Sequence, residues 1–216
     1  MAKNIYFIRH GESEENQFRI LGDGTSPLSV KGQAEAELIA RRAQALGGDK
    51  LFTSPFLRAH QTALAISRLS GLAIEISDTL IERKAPLSTQ GRSMDEAEVW
   101  AAFKTIHTNY TDPDFRYEDA ESFTDLKNRA QKALELIIQS EGKNIIVVTH
   151  GLFLRVLIGE MLFGNSFTGT ELINLIHGLR TTNTGLTWCQ YDEDFVHKPW
   201  RIMTWNDHNH LGETAE

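Results

Sequence analysis

Two histidines in this chain each follow a short apolar run and precede a glycine. His10 comes after residues 4–8 and directly after Arg9, and His150 directly follows residues 144–149. Cations beside a histidine lower its pKa, which keeps the imidazole unprotonated and nucleophilic near neutral pH. The pair Arg9-His10 therefore suits covalent chemistry on an anionic substrate. His150 could stay protonated and stabilise the charge that develops in a transition state.

Polar side chains also follow the two other early apolar runs. Arg58 comes shortly after residues 50–53, and Glu82 comes shortly after residues 73–76. Arginine presents a planar fork of donors that matches phosphate oxygens, so two arginines form a clamp for a phosphoryl dianion. Glu82 would protonate a departing alcohol and then deprotonate water, a role that calls for a raised pKa. Gly11 and Gly151 suit a close approach of backbone N–H groups to a ligand.

Short apolar runs alternate with longer amphipathic stretches along the chain. Strands are predicted at 4–8, 50–53, 73–76, 144–149, 186–191 and 201–205, and helices at about 29–46, 57–69, 93–105, 122–140 and 152–163. This alternation predicts an α/β fold, a three-layer α/β/α sandwich with a mostly parallel central sheet. Ligands of such sheets bind beyond the carboxyl ends of the strands. The polar residues at the strand ends should therefore converge on one crevice.

The least regular part of the chain lies between residues 83 and 120. It contains Pro86, Gly91, Pro113 and a cluster of charges. We expect residues 1–216 to form a single domain, with residues 83–120 as an irregular, lid-like excursion over one end of the sheet.

The composition argues against several classes of protein. Of the 216 residues, 41% are hydrophobic and 24% are charged, which is typical of soluble globular proteins. We expect a cytoplasmic location and no membrane partner, since no apolar run approaches a membrane span and a strand pattern follows the first residues. The net charge of −7, without a Lys and Arg cluster, argues against nucleic acid. The lone Cys189 excludes a multi-cysteine zinc site.

The stretch Arg9-His10-Gly11-Glu12-Ser13 with Asn16 resembles the signature of the histidine phosphatase superfamily, which includes the cofactor-dependent phosphoglycerate mutases and many small phosphatases. The likeness extends through residues 23–37, 53–63, 80–83, 120–130 and 147–151, so it covers nearly the whole chain. It implies a phosphoglycerate mutase-like fold, no metal and no cofactor.

The resemblance also implies a role for each matched residue. His10 would be transiently phosphorylated, with Glu82 as the proton donor. The residues implied to bind substrate are Arg9, Arg58, His150, Gly151, Asn16, Ser13 and Gly22. Each has a plainer interpretation when taken alone: Arg58 suits a helix surface, Glu82 a solvated loop, and Ser13 the start of a helix or turn. Their joint placement at strand ends favours the phosphate site.

Two activities and one binding role remain open. Mutases have a stretch after the catalytic glutamate that is rich in Gly, Asn and Lys, followed by an Arg-Arg-Tyr pattern with several prolines. Residues 83–115 lack these features. We therefore expect a phosphomonoesterase that hydrolyses a small phosphorylated metabolite. Phosphoglycerate mutase-type phosphoryl transfer is the first alternative, and a noncatalytic phospholigand-binding or docking module is the second. The sequence leaves the substrate and the oligomeric state open.

Overall fold

The apolar runs form a six-stranded sheet between helices in the computed structural model, which describes residues 2–195 and 197–214. The strands are β1 (Lys3–Arg9), β2 (Lys50–Thr53), β3 (Ile74–Ile76), β4 (Asn144–Thr149), β5 (Leu186–Tyr191) and β6 (Trp200–Asp207). The helices are α1 (Glu14–Gln17), α2 (Val30–Ala45), α3 (Leu57–Ser70), α4 (Ala97–Thr108), α5 (Phe123–Gln139), α6 (Gly151–Phe163) and α7 (Gly169–Gly178). Short 3-10 turns occupy Asp78–Leu80, Leu87–Thr89, Gly164–Ser166 and Asn209–Thr214. No helix among the described residues is long and apolar enough to span a membrane.

The strand order is β3-β2-β4-β1-β5-β6. The first four strands in this order are parallel, whereas β5 and β6 are antiparallel to their neighbours. Val148 of β4 pairs with both Ile8 of β1 and Thr53 of β2. This register brings the carboxyl ends of the three strands to one level, so the residues after them share one edge of the sheet. The predicted α/β fold with a mostly parallel sheet is confirmed.

Each face of the sheet carries its own hydrophobic core. Ile5 and Phe7 of β1 pack with α5 and α6 on one face, and Tyr6 and Ile8 pack with α2 and α3 on the other. Successive side chains of a strand point to opposite faces, so the unbroken apolar run of β1 serves both cores.

Two helix predictions need correction. The helix expected at 93–105 begins at Ala97, because residues 91–94 pair their backbone with residues 19–21. The amide of Leu21 donates to the carbonyl of Arg92 at 3.0 Å, and that of Gly91 donates to the carbonyl of Leu21 at 2.7 Å.

Helix α7 was not predicted from the sequence. It starts at a capping box in which the Thr168 hydroxyl accepts from the amide of Thr170 and the Glu171 carboxylate accepts from the amide of Thr168.

The excursion at residues 83–120 is anchored on the core. Val99, Phe103, Ile106 and Tyr110 are buried in the cluster that also covers β1 and α6. Helix α4 therefore packs an apolar face against the domain, although the flanking residues lack regular structure. The excursion is thus held on the domain by packing and by the backbone pairing with residues 19–21.

We expect Gly32→Ala to destabilise the protein. A Cβ at Gly32 would lie 1.9 Å from the carbonyl oxygen of Glu12, a backbone atom that cannot rotate away. Overpacking of this kind costs about 1–3 kcal/mol. Thermal unfolding measures the loss, with Gly178→Ala as control, since a Cβ there meets no atom of the described residues within 4 Å. Equal stability of the two variants would contradict the close approach of α2 to the loop after β1.

Candidate active site

His10 lies immediately beyond the end of β1, and one of its ring nitrogens keeps a lone pair that can attack a substrate. Its Nδ1 lies 2.7 Å from the carbonyl oxygen of Gly11, and its Nε2 accepts a hydrogen bond of 3.1 Å from Nε of Arg58. Because a carbonyl only accepts, Nδ1 carries the proton and Nε2 carries the lone pair. The side chain is 3% exposed. Burial, and then the charges of Arg58 and Arg9, hold the pKa of His10 well below the ordinary histidine value.

The loop around His10 is fixed by close backbone packing. The amide of Gly11 donates to the Thr62 hydroxyl at 3.1 Å, and the Asn183 side chain donates to the carbonyl of His10 at 3.0 Å. A Cβ at Gly11 would lie 2.6 Å from the carbonyl oxygen of Gly32. Glycine at position 11 therefore lets the loop rest directly on α2. Thr62 and Asn183 were not predicted as site residues, and neither follows a strand whose end would have drawn attention to it.

Arg58 reaches His10 from the first turn of α3. It is 8% exposed, and its guanidinium carbon lies 5.2 Å from the centroid of the Phe56 ring. Its Nη1 has no hydrogen-bond partner within residues 2–195 and 197–214. A buried donor without an acceptor is costly, so this nitrogen marks a place where an anion would be stabilised.

His150 lies beside His10 at the start of α6. The two ring centroids are 5.0 Å apart, and Nε2 of His150 lies 2.8 Å from the Ser54 hydroxyl. Burial, and then the charges of His10, Arg58 and Arg9, hold the pKa of His150 well below its ordinary value. The lowered pKa disfavours a protonated ring in the ligand-free protein, whereas the sequence analysis expected that His150 could stay protonated. Ser54 directly follows β2, a position where a site residue could have been predicted.

Arg9 ends β1 and extends towards the first residue of α6. Its Nη1 donates to the carbonyl of Thr181 at 2.7 Å. A Cβ at Gly151 would lie 3.3 Å from Nε of Arg9 and 2.9 Å from the Thr181 hydroxyl. Glycine at position 151 therefore leaves room for the guanidinium, which is a steric reason for this residue. Nε of Arg9 is buried and lacks a hydrogen-bond partner among the described residues.

The carboxylate of Glu82 caps α6. Its Oε1 accepts from the amides of Arg83 and Phe153, both at 2.9 Å, and its Oε2 accepts from the amide of Leu152 at 3.1 Å. Amides at the start of α6 thus bind this carboxylate, whereas the sequence suggested that they would point at a ligand. The negative charge of Glu82 acts on both Arg9 and Arg58.

The side chains of Arg83 and Lys84 are held by the excursion. The Arg83 guanidinium donates to the Tyr110 hydroxyl at 3.0 Å and lies over the ring of Phe103. The Lys84 ammonium lies 3.3 Å from the carboxylate of Asp119. Both side chains are therefore turned towards the excursion.

Ser13 and Asn16 bind one another at the start of α1. The Ser13 hydroxyl accepts from the amide of Asn16 at 3.2 Å, and the Asn16 side-chain oxygen accepts from the amide of Ser13 at 3.2 Å. This capping box matches the plainer interpretation of Ser13. Gly22 lies against the side chain of Glu15, whose Oε2 would be 1.7 Å from a Cβ at position 22. Substrate contacts of these three residues stay predictions.

The unpartnered donors surround His10. Nε of Arg9, Nη1 of Arg58 and Nδ1 of His150 are buried and have no hydrogen-bond partner in the described part of the chain. Nδ1 of His150 is a donor in the tautomer whose Nε2 accepts from the Ser54 hydroxyl. These nitrogens belong to the three side chains whose charges or rings lie next to His10. A compact polyanion such as a phosphoryl group would supply acceptors to all three. Within the described residues there is no group of three or more His, Cys, Asp and Glu side chains placed to hold a metal ion.

The fold and this cluster of side chains define an α/β protein with a pocket at the carboxyl ends of its parallel strands. Two histidines line the pocket, and two arginines make it positively charged. The family model of the histidine phosphatase superfamily (branch 1) matches residues 5–208, and the chain belongs to this superfamily.

Curated relatives of this chain include proteins named probable phosphoglycerate mutase GpmB. The one from Enterobacter sp. (strain 638) is 30% identical over 221 residues, which cover 98% of this chain and 96% of that protein. The one from Salmonella arizonae is 27% identical over 214 residues, with the same coverage of 98% and 96%.

Solved structures share the fold over nearly the whole chain. Bacillus stearothermophilus YhfR is 25% identical, with a TM-score of 0.81 over 97% of this chain and 99% of that one. A phosphoserine phosphatase mutant from Entamoeba histolytica in complex with phosphoserine is 24% identical, with a TM-score of 0.77 and coverage of 97% and 99%. The phosphoglycerate mutase-like fold predicted from the sequence is confirmed.

Proposed function

We propose that this chain is a phosphomonoesterase that works through a phosphohistidine on His10. The proposal rests on the surroundings of Nε2 of His10. This nitrogen has its lone pair and is buried, and three side chains that act on His10 or adjoin it, Arg9, Arg58 and His150, each keep one unpartnered buried nitrogen. A nucleophile alone would suit many reactions, but this ring of donors suits the oxygens of a phosphoryl group in particular.

In the first step, Nε2 of His10 attacks phosphorus in line with the ester oxygen. The N–P bond forms as the P–O bond breaks, and the leaving oxygen takes a proton from Glu82. Arg9, Arg58 and His150 donate to the three remaining oxygens. The incoming phosphoryl group replaces the Arg58 nitrogen at Nε2, and the arginine turns its donors to the phosphate oxygens.

In the second step, water replaces His10 on phosphorus. Glu82, now ionised, takes a proton from the water while the O–P bond forms and the N–P bond breaks. Inorganic phosphate leaves, His10 regains its lone pair and Glu82 regains its proton. The same donors serve both steps, because the charge on the transferred group changes little between them.

The first alternative, phosphoglycerate mutase-type transfer, is favoured by the names of the curated relatives. A mutase must retain a second anionic group while the first is transferred, which requires free cations near the crevice. The cations of the excursion all have partners: Arg83 with Tyr110, Lys84 with Asp119, Arg92 with Glu96 and Glu98, Lys104 over the ring of Trp100, and Arg116 with Asp125. This pairing favours release of phosphate to water.

One assay separates the alternatives. The protein is incubated with 3-phosphoglycerate, with and without a bisphosphoglycerate primer, and with a panel of sugar phosphates, nucleotides and phosphoamino acids. Hydrolysis yields inorganic phosphate from at least one substrate without a primer. Primer-dependent formation of 2-phosphoglycerate, with no phosphate released from any substrate, would establish the mutase instead. Tight phosphate binding without any turnover would establish the noncatalytic module.

Arg58→Lys is expected to lower kcat/KM about 100-fold. The lysine ammonium provides neither the planar fork nor the Nε–H that donates to His10, so two interactions made by one side chain are lost. Charge-assisted hydrogen bonds are worth about 1.5–3 kcal/mol each, which sets this scale. Steady-state kinetics with p-nitrophenyl phosphate measure it.

The control for this variant is Arg68→Lys, which changes an exposed guanidinium on the same helix that pairs with Glu37. It should leave kcat/KM unchanged. Full activity of Arg58→Lys would show that positive charge alone is needed at position 58.

We also propose that residues 1–216 form one domain and that the excursion at 83–120 bounds the crevice on the side of Glu82. Glu82 is followed directly by the excursion, and Tyr110 and Phe103 of the excursion bind the neighbouring Arg83. The excursion therefore contributes to the choice of leaving group.

A further inference from the structure

A largely buried ion pair holds the backbone next to Glu82. Arg129 of α5 and Glu121, which lies just before α5, are joined by two parallel hydrogen bonds, from Nε to Oε1 and from Nη2 to Oε2, both at 2.8 Å. The two side chains are 13% and 14% exposed. The loss of hydration of two buried charges offsets most of their attraction, so such a pair adds little net stability. Its importance therefore lies in the other groups that the two side chains bind.

The remaining donors of Arg129 bind three carbonyl oxygens in the segment that carries Glu82. Nη1 donates to the carbonyls of Thr79 at 3.2 Å and Ile81 at 2.7 Å, and Nη2 donates to the carbonyl of Glu82 at 3.4 Å. Together with the two bonds to Glu121, these interactions use all five N–H groups of the guanidinium. A lysine has only three donors on one nitrogen, so it cannot replace this arrangement.

Glu121 holds the backbone on the other side of Glu82. Its Oε2 accepts from the amide of Lys84 at 2.8 Å, and its own amide donates to the carbonyl of Lys84 at 3.3 Å. The ion pair thus holds residues 79–82 through Arg129 and Lys84 through Glu121. Because Lys84 lies at the start of the excursion and Glu121 directly follows its end, the same contacts join the two ends of the excursion.

The guanidinium of Arg129 also contacts the helix that binds the Glu82 carboxylate. Its carbon lies 3.9 Å from the centroid of the Phe153 ring. The amide of Phe153 donates to Oε1 of Glu82 at 2.9 Å, and the amide of Leu152 donates to Oε2 at 3.1 Å. Arg129 therefore contacts both the backbone that carries Glu82 and the first turn of α6, whose amides bind the carboxylate.

We propose that Arg129 and Glu121 are positioning residues for Glu82. They hold its carboxylate where it can pass a proton to the leaving oxygen and then take one from water. This inference rests on the proposed phosphomonoesterase activity, in which Glu82 carries the proton. Proton transfer requires the two heavy atoms to lie within hydrogen-bond distance, so a shift of the carboxylate by about 1 Å would slow both steps.

Arg129→Lys tests the inference because it keeps the charge and removes the planar fork. The measured quantity is the ratio of kcat/KM for an alkyl phosphate to kcat/KM for p-nitrophenyl phosphate. The alkyl phosphate is whichever of glycerol 2-phosphate, phosphoserine and 3-phosphoglycerate the unmodified protein hydrolyses fastest. The ratio should fall about tenfold, since only the alkyl oxygen needs a proton in order to leave.

Rapid mixing with p-nitrophenyl phosphate gives a second measurement that needs no alkyl substrate. Arg129→Lys should release the first equivalent of p-nitrophenol as fast as the unmodified protein does. Its steady rate should then be about tenfold lower, because hydrolysis of the phosphohistidine also depends on Glu82. Glu121→Gln should shift both measurements in the same direction, and it tests the inference if Arg129→Lys does not fold. Thermal unfolding of each variant verifies that it is folded.

Arg116→Lys is the matched control. Arg116 also forms two hydrogen bonds with a carboxylate, that of Asp125 in the first turn of α5, but its side chain is 53% exposed. The same substitution there should leave the ratio and the steady rate unchanged.

A double variant separates positioning from a merely structural role. Glu82→Gln removes the proton carrier and by itself should lower the ratio. Addition of Arg129→Lys should lower the ratio no further, because both changes act through the same carboxyl group. If Arg129 only stabilised the fold, the two losses would multiply.

The other outcomes distinguish failure of the inference from failure of the proposed function. An unchanged ratio and steady rate in folded Arg129→Lys and Glu121→Gln would overturn the inference and leave the proposed function standing. Equal losses on alkyl and aryl esters, or multiplied losses in the double variant, would also overturn it, because the pair would then only stabilise the fold. Absence of turnover of every substrate by the unmodified protein would overturn the proposed function and, with it, the inference.

Discussion

His10→Ala is expected to lower kcat for p-nitrophenyl phosphate by at least about 10⁴-fold, because no other group can form the covalent intermediate. The neighbouring His150 does not replace it, since its Nε2 lies 2.8 Å from Ser54 and its ring stands at the start of α6. The loss should appear in kcat rather than in binding, because the donors of Arg9, Arg58 and His150 remain. Inorganic phosphate should still bind to the variant.

The measurement with the clearest signature is labelling with a ³²P substrate, a denaturing quench at alkaline pH, and then treatment of the labelled protein with acid or with base. Phosphohistidine is labile in acid and stable in base, so the unmodified protein should lose its label in acid, and His10→Ala should carry none. His177→Ala, which removes an exposed histidine of α7, should label normally. Label that survives in His10→Ala, or turnover within tenfold of the unmodified protein, would overturn the assignment of the nucleophile.

Much of the site is predictable because parallel strands align their carboxyl ends. His10 and His150 each follow a strand directly, and the register of β1 with β4 makes them neighbours. Arg58 lies in the first turn of α3, the helix that follows β2. It is close enough to the end of the strand to be predicted as a site residue. The histidine phosphatase resemblance then adds residue roles that strand ends cannot supply.

Features that depend on side-chain packing could not be predicted from the sequence. The lowered pKa of His150 follows from complete burial beside cations, and the direction of the α6 amides follows from the position of Glu82. Neither can be inferred from residue order, because both depend on contacts between segments that are far apart in the sequence.

Glu82→Gln should separate the two chemical steps. The variant keeps the size of the side chain but has no proton to donate to the leaving oxygen and no base for water. For phosphate esters of alkyl alcohols, kcat/KM should fall about 100- to 1,000-fold, the usual share of general acid–base catalysis. For p-nitrophenyl phosphate the fall in kcat/KM should be much smaller, because p-nitrophenolate leaves without protonation. Glu98→Gln, whose side chain is 80% exposed on α4, is the control and should change neither value.

Hydrolysis of the phosphohistidine, the second chemical step, distinguishes more clearly between a catalytic and a structural Glu82. Hydrolysis of the phosphohistidine needs a base whatever the first substrate was, so Glu82→Gln should stall after one turnover of p-nitrophenyl phosphate. Rapid mixing should then show a burst of p-nitrophenol equal to the enzyme present, followed by a slow phase, with acid-labile label accumulating on His10. A variant that loses equal activity on alkyl and aryl esters and shows no burst would indicate that Glu82 acts only by capping α6, through the amides of Leu152 and Phe153. The burst amplitude therefore decides between a proton carrier and a purely structural carboxylate at position 82.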